Sequence, residues 1–139
     1  MLTLHLRVIT PKKIVLEEDV QSVSVPSSDG ELTILPRHTN LFSLLLEGIV
    51  KIRTEKKEDF LAIGGGYLET DGKEINILVA RAYGQDEIDE GLTKKAMEQA
   101  KIILTQAKDN QQLVEAASLL RRSLIDMKLI KKRKALRNY

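Results

Sequence analysis

From residue 2 to about residue 83, apolar residues recur at every second position. Leu2, Leu4, Leu6 and Val8 alternate with Thr3, His5 and Arg7, which predicts a strand with one face buried. Pro11-Lys12-Lys13 predicts a turn, and the apolar run resumes from Ile14 to Leu16. Val23 and Val25 alternate with Ser22 and Ser24 ahead of Pro26-Ser27-Ser28-Asp29-Gly30, a strong turn cluster. Short apolar runs follow at Leu32 to Leu35, Leu41 to Leu46, Ile49 to Ile52, Phe60 to Ile63 and Tyr67-Leu68. Asp71-Gly72 then joins residues 67–70 to residues 75–79 as a tight hairpin. Strands of about five residues, punctuated this often, predict an antiparallel β-sandwich of about ten short strands. No segment among them is long enough for a helical crossover between parallel strands.

After Gly84 the period changes to 3.6. Asp89 is a candidate N-cap, and Leu92, Ala96, Ala100, Ile103 and Ala107 then form one stripe. Lys108-Asp109-Asn110 interrupts it, and Asp109 with Gln112 resembles a capping box opening a second helix. Leu113, Ala117, Leu120, Leu124 and Met127 share a face of that helix. Two amphipathic helices with so short a link predict an antiparallel hairpin. The expected division is therefore a sandwich at 1–84 and a helical hairpin at 85–139. A two-helix hairpin has little core of its own and must lean on something else.

Composition narrows the function classes. Hydrophobic residues make up 42% and charged residues 30%, which predicts a soluble, folded chain. No window holds the roughly 18 consecutive apolar residues of a membrane span, and the N-terminus shows no signal-peptide run. Zero cysteines exclude disulfides and thiolate metal sites. An intracellular chain is expected, meeting a membrane only through partners. The net charge of +2 hides an asymmetry: residues 1–87 carry 14 acids against 10 bases, residues 88–139 carry 6 against 12. Opposite charges on two segments suggest two tasks.

Catalytic material is scarce. His5 and His38 are isolated from each other and lack metal-ligand spacing. Gly64-Gly65-Gly66 lacks the following Lys-Ser/Thr of a phosphate loop and opens no helix, so it predicts a bulge or a close backbone approach. No Ser has the setting of a nucleophile. Neither an active site, a cofactor nor a metal is expected.

The informative stretch runs from Pro26 to Gly48. It contains Gly30-Glu31-Leu32, then Leu35-Pro36-Arg37-His38, Leu41 and Gly48. A second block is Gly65-Gly66-Tyr67-Leu68-Glu69, and a third Ile75-Asn76-Ile77-Leu78-Val79-Ala80. In that order these segments resemble the epsilon subunit of the F-type rotary ATP synthase, along essentially the whole chain. One departure is Asn40, where that family usually has a second Pro after the His.

The resemblance implies a non-catalytic rotor subunit of the central stalk, coupling the ion-driven c-ring to the gamma subunit for ATP synthesis. It implies that one edge of the sandwich docks on gamma. It also implies that Gly30 and Glu31, with a nearby loop carrying His38, approach the c-ring. In this family the hairpin can swing up along gamma, where its basic helix meets an acidic region of the catalytic β subunits and blocks hydrolysis. Here the residues for that contact are Arg121, Arg122, Lys128, Lys131, Lys132, Arg133 and Lys134, with Arg137 beyond them. Some bacterial members bind ATP as a regulatory ligand through Ile/Leu-Asp-x-x-Arg-Ala. This chain has Ile88 and Asp89, but Leu92 and Thr93 stand where that motif has Arg and Ala. The implied location is the cytoplasmic face of a bacterial plasma membrane, as a peripheral part of the complex.

Two other readings compete for the basic tail. Lys131 to Lys134 would suit a nucleic-acid-binding arm, but the sandwich is net acidic and the only aromatic near the arm is Tyr139. An amphipathic helix at a membrane surface is the other. The apolar face of residues 113–130 is better explained by pairing with the first helix. No nucleic acid partner is expected.

Overall fold

Ten strands precede two helices in the computed structural model, which describes residues 2–137 of the backbone and side chains as far as Lys132. The strands are β1 (Leu4–Ile9), β2 (Ile14–Val20), β3 (Ser22–Ser27), β4 (Gly30–Ile34), β5 (Leu41–Leu45), β6 (Gly48–Arg53), β7 (Glu58–Ile63), β8 (Gly66–Thr70), β9 (Glu74–Val79) and β10 (Ala82–Gly84). A short 3-10 turn at Gln85–Glu87 leads to α1 (Glu90–Gln106) and α2 (Asn110–Arg137). The chain divides into two compact units, residues 1–84 and 85–139. No helix among the described residues is long and apolar enough to cross a membrane.

Hydrogen bonding runs in the order β10-β7-β6-β3-β5-β8-β9-β1-β2, with β4 on the other edge of β3. The path folds over between β3 and β5, which share only the pair Ser27↔Leu45. Two five-stranded layers result, β4-β3-β6-β7-β10 and β5-β8-β9-β1-β2, as the sequence pattern predicts for a sandwich. All pairs are antiparallel except β1 with β9, where the first strand runs parallel to the last strand of its layer.

Alternation decides which side chains meet between the layers. Leu4, Leu6 and Val8 of β1, Leu68 of β8 and Ile75, Ile77 and Val79 of β9 face Val23, Val25, Ile34, Val50, Ile52 and Ile63 in one buried cluster. The glycine triplet is a close approach. A Cβ on Gly66 would stand 2.0 Å from Leu78 O and 2.8 Å from Val79 Cα, so no side chain fits between β8 and β9 there.

In the second unit, Asp89 caps α1 by accepting the Leu92 N–H at 2.9 Å, and Asp109 accepts the Gln112 N–H at 2.8 Å. The contact faces differ from those the periodicity predicts. Leu92 and Ile103 are exposed, while Thr93 and Ala100 are buried. On α2, Leu113 and Leu124 are exposed, while Ala116, Ser123, Leu129 and Ile130 are buried. Ala100 thus lies on the face that was predicted for α1, whereas on α2 the small residues Ala116 and Ser123 are buried in place of the expected Leu113 and Leu124.

Candidate docking surfaces

The outer face of the layer β5-β8-β9-β1-β2 is sorted by register into rows that run across all five strands. Leu44 pairs Tyr67, Tyr67 pairs Leu78, Leu78 pairs Ile9, and Ile9 pairs Ile14. That row is wholly apolar, and Leu44 and Ile14 are 60% and 54% exposed. Four strand spacings of about 4.8 Å make the stripe roughly 19 Å long. Phe42 and Leu46, on β5 and just after it, widen the stripe at one end, both more than half exposed. Phe42 stacks on Tyr67 with ring centroids 5.1 Å apart. Contiguous exposed apolar patches of this kind are a feature of protein, membrane or ligand contact surfaces.

The next two rows are polar. Phe42 pairs Glu69, then Asn76, Arg7 and Glu17 follow across the sheet, and beside them Glu74, His5 and Asp19. Arg7 Nε donates to Glu17 Oε2 at 3.0 Å. His5 stands between two carboxylates, with Nε2 at 2.8 Å from Glu17 and Nδ1 at 2.9 Å from Asp19. The Asp19 and Glu17 bonds raise the His5 pKa above its ordinary value, and His5 and Arg7 lower that of Glu17. The imidazolium, which donates from both nitrogens, is the form this setting favours. An open groove of about 530 Å³ lies between Phe42 and the carboxylates of Glu69, Asp71 and Glu74.

Sequence reading missed this stripe. Its signal lies in β5, where Leu41, Phe42, Leu44, Leu45 and Leu46 put apolar residues on both faces of one strand. An edge of the sandwich was expected to be the docking region; the exposed apolar surface is a sheet face.

The residues expected at a c-ring contact are not brought together. Gly30 and Glu31 begin β4, beside Ser27 and Pro26, whereas His38 lies in the loop beyond the strand's other end. A five-residue strand separates them, on the order of 15 Å, so the expectation that the two loops are near each other is corrected. β4 is extended because its pairing with β3 runs its full length, which drives the two turns to opposite ends of the sandwich. Glu31 is exposed, and no ion pair forms to it among the described residues.

The His38 loop is anchored. Arg37 N–H donates to Gly72 O at 2.9 Å, and His38 N–H to Leu35 O at 3.1 Å. Gly72 has φ 89°, and a Cβ there would lie 2.5 Å from His38 O. His38 Nδ1 donates to Thr39 O at 2.8 Å. Arg37 is the one non-glycine residue with positive φ among the described residues, at 69°. Such a conformation costs roughly 1–2 kcal/mol for a residue with a Cβ.

On the hairpin, Arg121, Arg122, Lys128, Lys131 and Lys132 are exposed along α2. The side chains of Arg133, Lys134 and Arg137 lie outside the described residues. Asp89, expected as half of a nucleotide motif, uses its carboxylate as the helix cap, with Ile88 beside it half-buried. No cluster of His, Cys, Asp or Glu among the described residues has metal-site geometry.

Comparison with known proteins adds a family. The β-sandwich domain of the ATP synthase delta/epsilon chain matches residues 3–85. The ATP synthase epsilon chain of Halalkalibacterium halodurans is 39% identical over 124 residues, spanning 88% of this chain and 93% of its own length. The chloroplastic epsilon chain of Pinus koraiensis is 32% identical over 122 residues, spanning 88% and 89%. The fold recurs in a chain of the Euglena gracilis mitochondrial ATP synthase structure, with a TM-score of 0.71 over 98% of this chain and 82% of that one, at 22% identity.

Proposed function

The chain belongs to the ATP synthase delta/epsilon family, and from that premise we propose that it serves as the epsilon subunit of the central stalk, a rotor part without chemistry of its own. The observation that carries this reading is the apolar stripe on the outer face of the second layer. A rotor coupling needs a firm seat, and a stripe of Leu44, Tyr67, Leu78, Ile9 and Ile14 flanked by Phe42 and Leu46 provides one for the gamma subunit. Burying each large apolar side chain fully there contributes about 1.5–3 kcal/mol, ample for a persistent joint.

The c-ring is met by the end of the sandwich that carries Gly30 and Glu31. Gly30 has φ 111° and open space around it, so the turn projects, and the exposed Glu31 is free to pair with a cationic side chain of the ring. Coupling then runs from the ring through Glu31 and the rigid sheets to gamma. The complex sits at the cytoplasmic face of a bacterial plasma membrane, and this chain is peripheral to it.

The hairpin regulates. Exposed bases on α2 suit an acidic region on the catalytic β subunits, and a hairpin extended along gamma would block rotation in the hydrolysis direction. With Asp89 committed to capping and Leu92 and Thr93 in place of the Arg and Ala of the ATP motif, nucleotide sensing is not part of this proposal.

The test adds the full chain, or the chain cut after Glu87, to a matched catalytic complex lacking this subunit, and follows ATP hydrolysis. Binding by both with inhibition only by the full chain is the expected result. Binding without inhibition removes the regulatory part, and no binding by either removes the stalk assignment.

A further inference from the structure

Beside the apolar stripe the sheet face has a hollow. The pairing Gly66↔Val79 of β8 and β9 continues to Gly65 and Ala80, where Ala80 N–H donates to Gly65 O at 3.2 Å. Both residues are exposed. With almost no side chain in that row, Tyr67, Leu78, Ile9 and Pro11 stand around an open hollow of about 370 Å³. Tyr67, Leu78 and Ile9 belong to the stripe as well, so stripe and hollow are one surface. The lining holds no charged side chain, and the Thr10 hydroxyl is spent on Lys13 O at 3.2 Å. Only the Tyr67 hydroxyl is left among its side chains to orient a polar ligand, whereas small-molecule sites place several such groups. The three glycines nearby have different reasons to be glycine. A Cβ on Gly64 would stand 2.9 Å from Arg81 Nη1 and one on Gly66 2.0 Å from Leu78 O, so packing demands both. A Cβ on Gly65 would meet only Leu45 O, at an ordinary 3.6 Å, and its φ lies outside the left-handed region. Neither a clash nor backbone strain requires glycine at 65, and the bare position keeps the hollow open. Its rim is preformed. Arg81, next to Ala80, pairs with Glu47, next to Leu46, and Leu46 N–H donates to Pro26 O at 2.9 Å.

We infer that the hollow receives one large apolar side chain, aliphatic or aromatic, projecting from the gamma subunit seated on the stripe. The inference rests on the stalk-docking reading and names the anchor within it. Continuity chooses the occupant. A partner that covers Leu44, Tyr67, Leu78 and Ile9 also covers the hollow, three of whose walls are those same residues. A void left beneath that partner would forfeit contact with all three walls. The lining chooses the kind of group, since apolar walls without charge favour an apolar side chain. A preformed hollow needs little ordering on binding, and a desolvated side chain in such a pocket is where interface energy concentrates.

The experiment titrates the full chain, unaltered or carrying Gly65→Ala, Gly65→Leu, Ala80→Leu or Leu44→Asp, against a matched catalytic complex that contains gamma but neither ring nor this subunit. Gly65→Leu fills the hollow and should melt no lower than the unaltered chain, because it restricts the unfolded state and its Cβ has room. Its affinity should fall about tenfold or more, and that of Gly65→Ala less, in order of the volume added. The loss should persist at about 0.5 M salt, since no charge is involved. Ala80→Leu fills the hollow from the facing strand and should reproduce the loss; it decides alone if Gly65→Leu melts lower. Unaltered affinity of the filled variants while Leu44→Asp binds weakly would overturn the inference and keep the stripe as the seat. No binding by the unaltered chain, or unaltered affinity of Leu44→Asp, would instead remove the docking reading beneath it.

Discussion

His5 shows how much one exposed side chain can reveal about pH. Its ring is held by Asp19 and Glu17, with Glu17 also bonded to Arg7. The His5 pKa is raised from 6.5 in the fold, so its stabilising contribution is complete below about 6.5 and is lost as pH rises through the raised value. The Glu17 pKa is lowered from 4.5, so its contribution is present above about 4.5 and is lost as pH falls through the lowered value. Stability from this cluster should therefore be greatest between the two. Urea midpoints measured from pH 4 to 9 should show that His5→Ala removes the decline that sets in above about pH 6.5; an unchanged profile would discount the cluster. At this scale the sequence was readable only as a polar alternation. His5 was correctly placed on the outer face, but its partners come from β2, twelve and fourteen residues away, and no local spacing announces a strand register. Arg37 was hidden for a different reason, since a positive φ on a residue other than Gly or Asn leaves no mark in composition.

Among elements, β2 is the most exposed to error because it ends the strand order with one edge unpaired. Opposite Leu6, on the inward face, it carries Glu18 where apolar residues stand at Leu16 and Val20. One carboxylate oxygen, Glu18 Oε1, is buried without a hydrogen-bond partner. The charge also contributes to holding Lys57 charged, after the larger effect of Asp59. An inward charge on an edge strand costs stability and discourages pairing with another sheet. Glu18→Val should thus raise folding stability by about 1–2 kcal/mol in urea titrations. It should also promote self-association visible by analytical ultracentrifugation. A destabilised monomer would refute this account. Elements themselves were legible: strand runs, the Asp71-Gly72 hairpin and both helix caps stand where alternation and cap chemistry put them. Helix faces were less so. α2 has apolar residues at 113, 114, 116, 117, 119 and 120, which covers most of a turn, and periodicity cannot choose a face when every face qualifies. Small residues made the choice.

For the molecule as a whole, the two units differ in what binds them to others. The buried cluster of the sandwich is drawn wholly from residues 4–79, so the sandwich holds its core without the hairpin. The chain cut after Glu87 should therefore unfold in one cooperative transition and retain a β-type circular dichroism spectrum; a broad, non-cooperative loss would show that the hairpin completes the core. Residues 1–87 carry a net four negative charges, and residues 88–139 a net six positive charges. Attachment through apolar area is little affected by salt, while contacts between exposed charges fade once they exceed a Debye length of about 10 Å at 0.1 M. Raising salt to about 0.5 M should accordingly abolish inhibition of hydrolysis by the full chain, while the truncated chain remains bound with little loss of affinity. Loss of both together would mean that charge, and not the stripe, seats the sandwich. Persistence of inhibition at high salt would mean that the exposed apolar residues of the helices, Leu92, Val114 and Leu124 among them, make the regulatory contact in place of the bases.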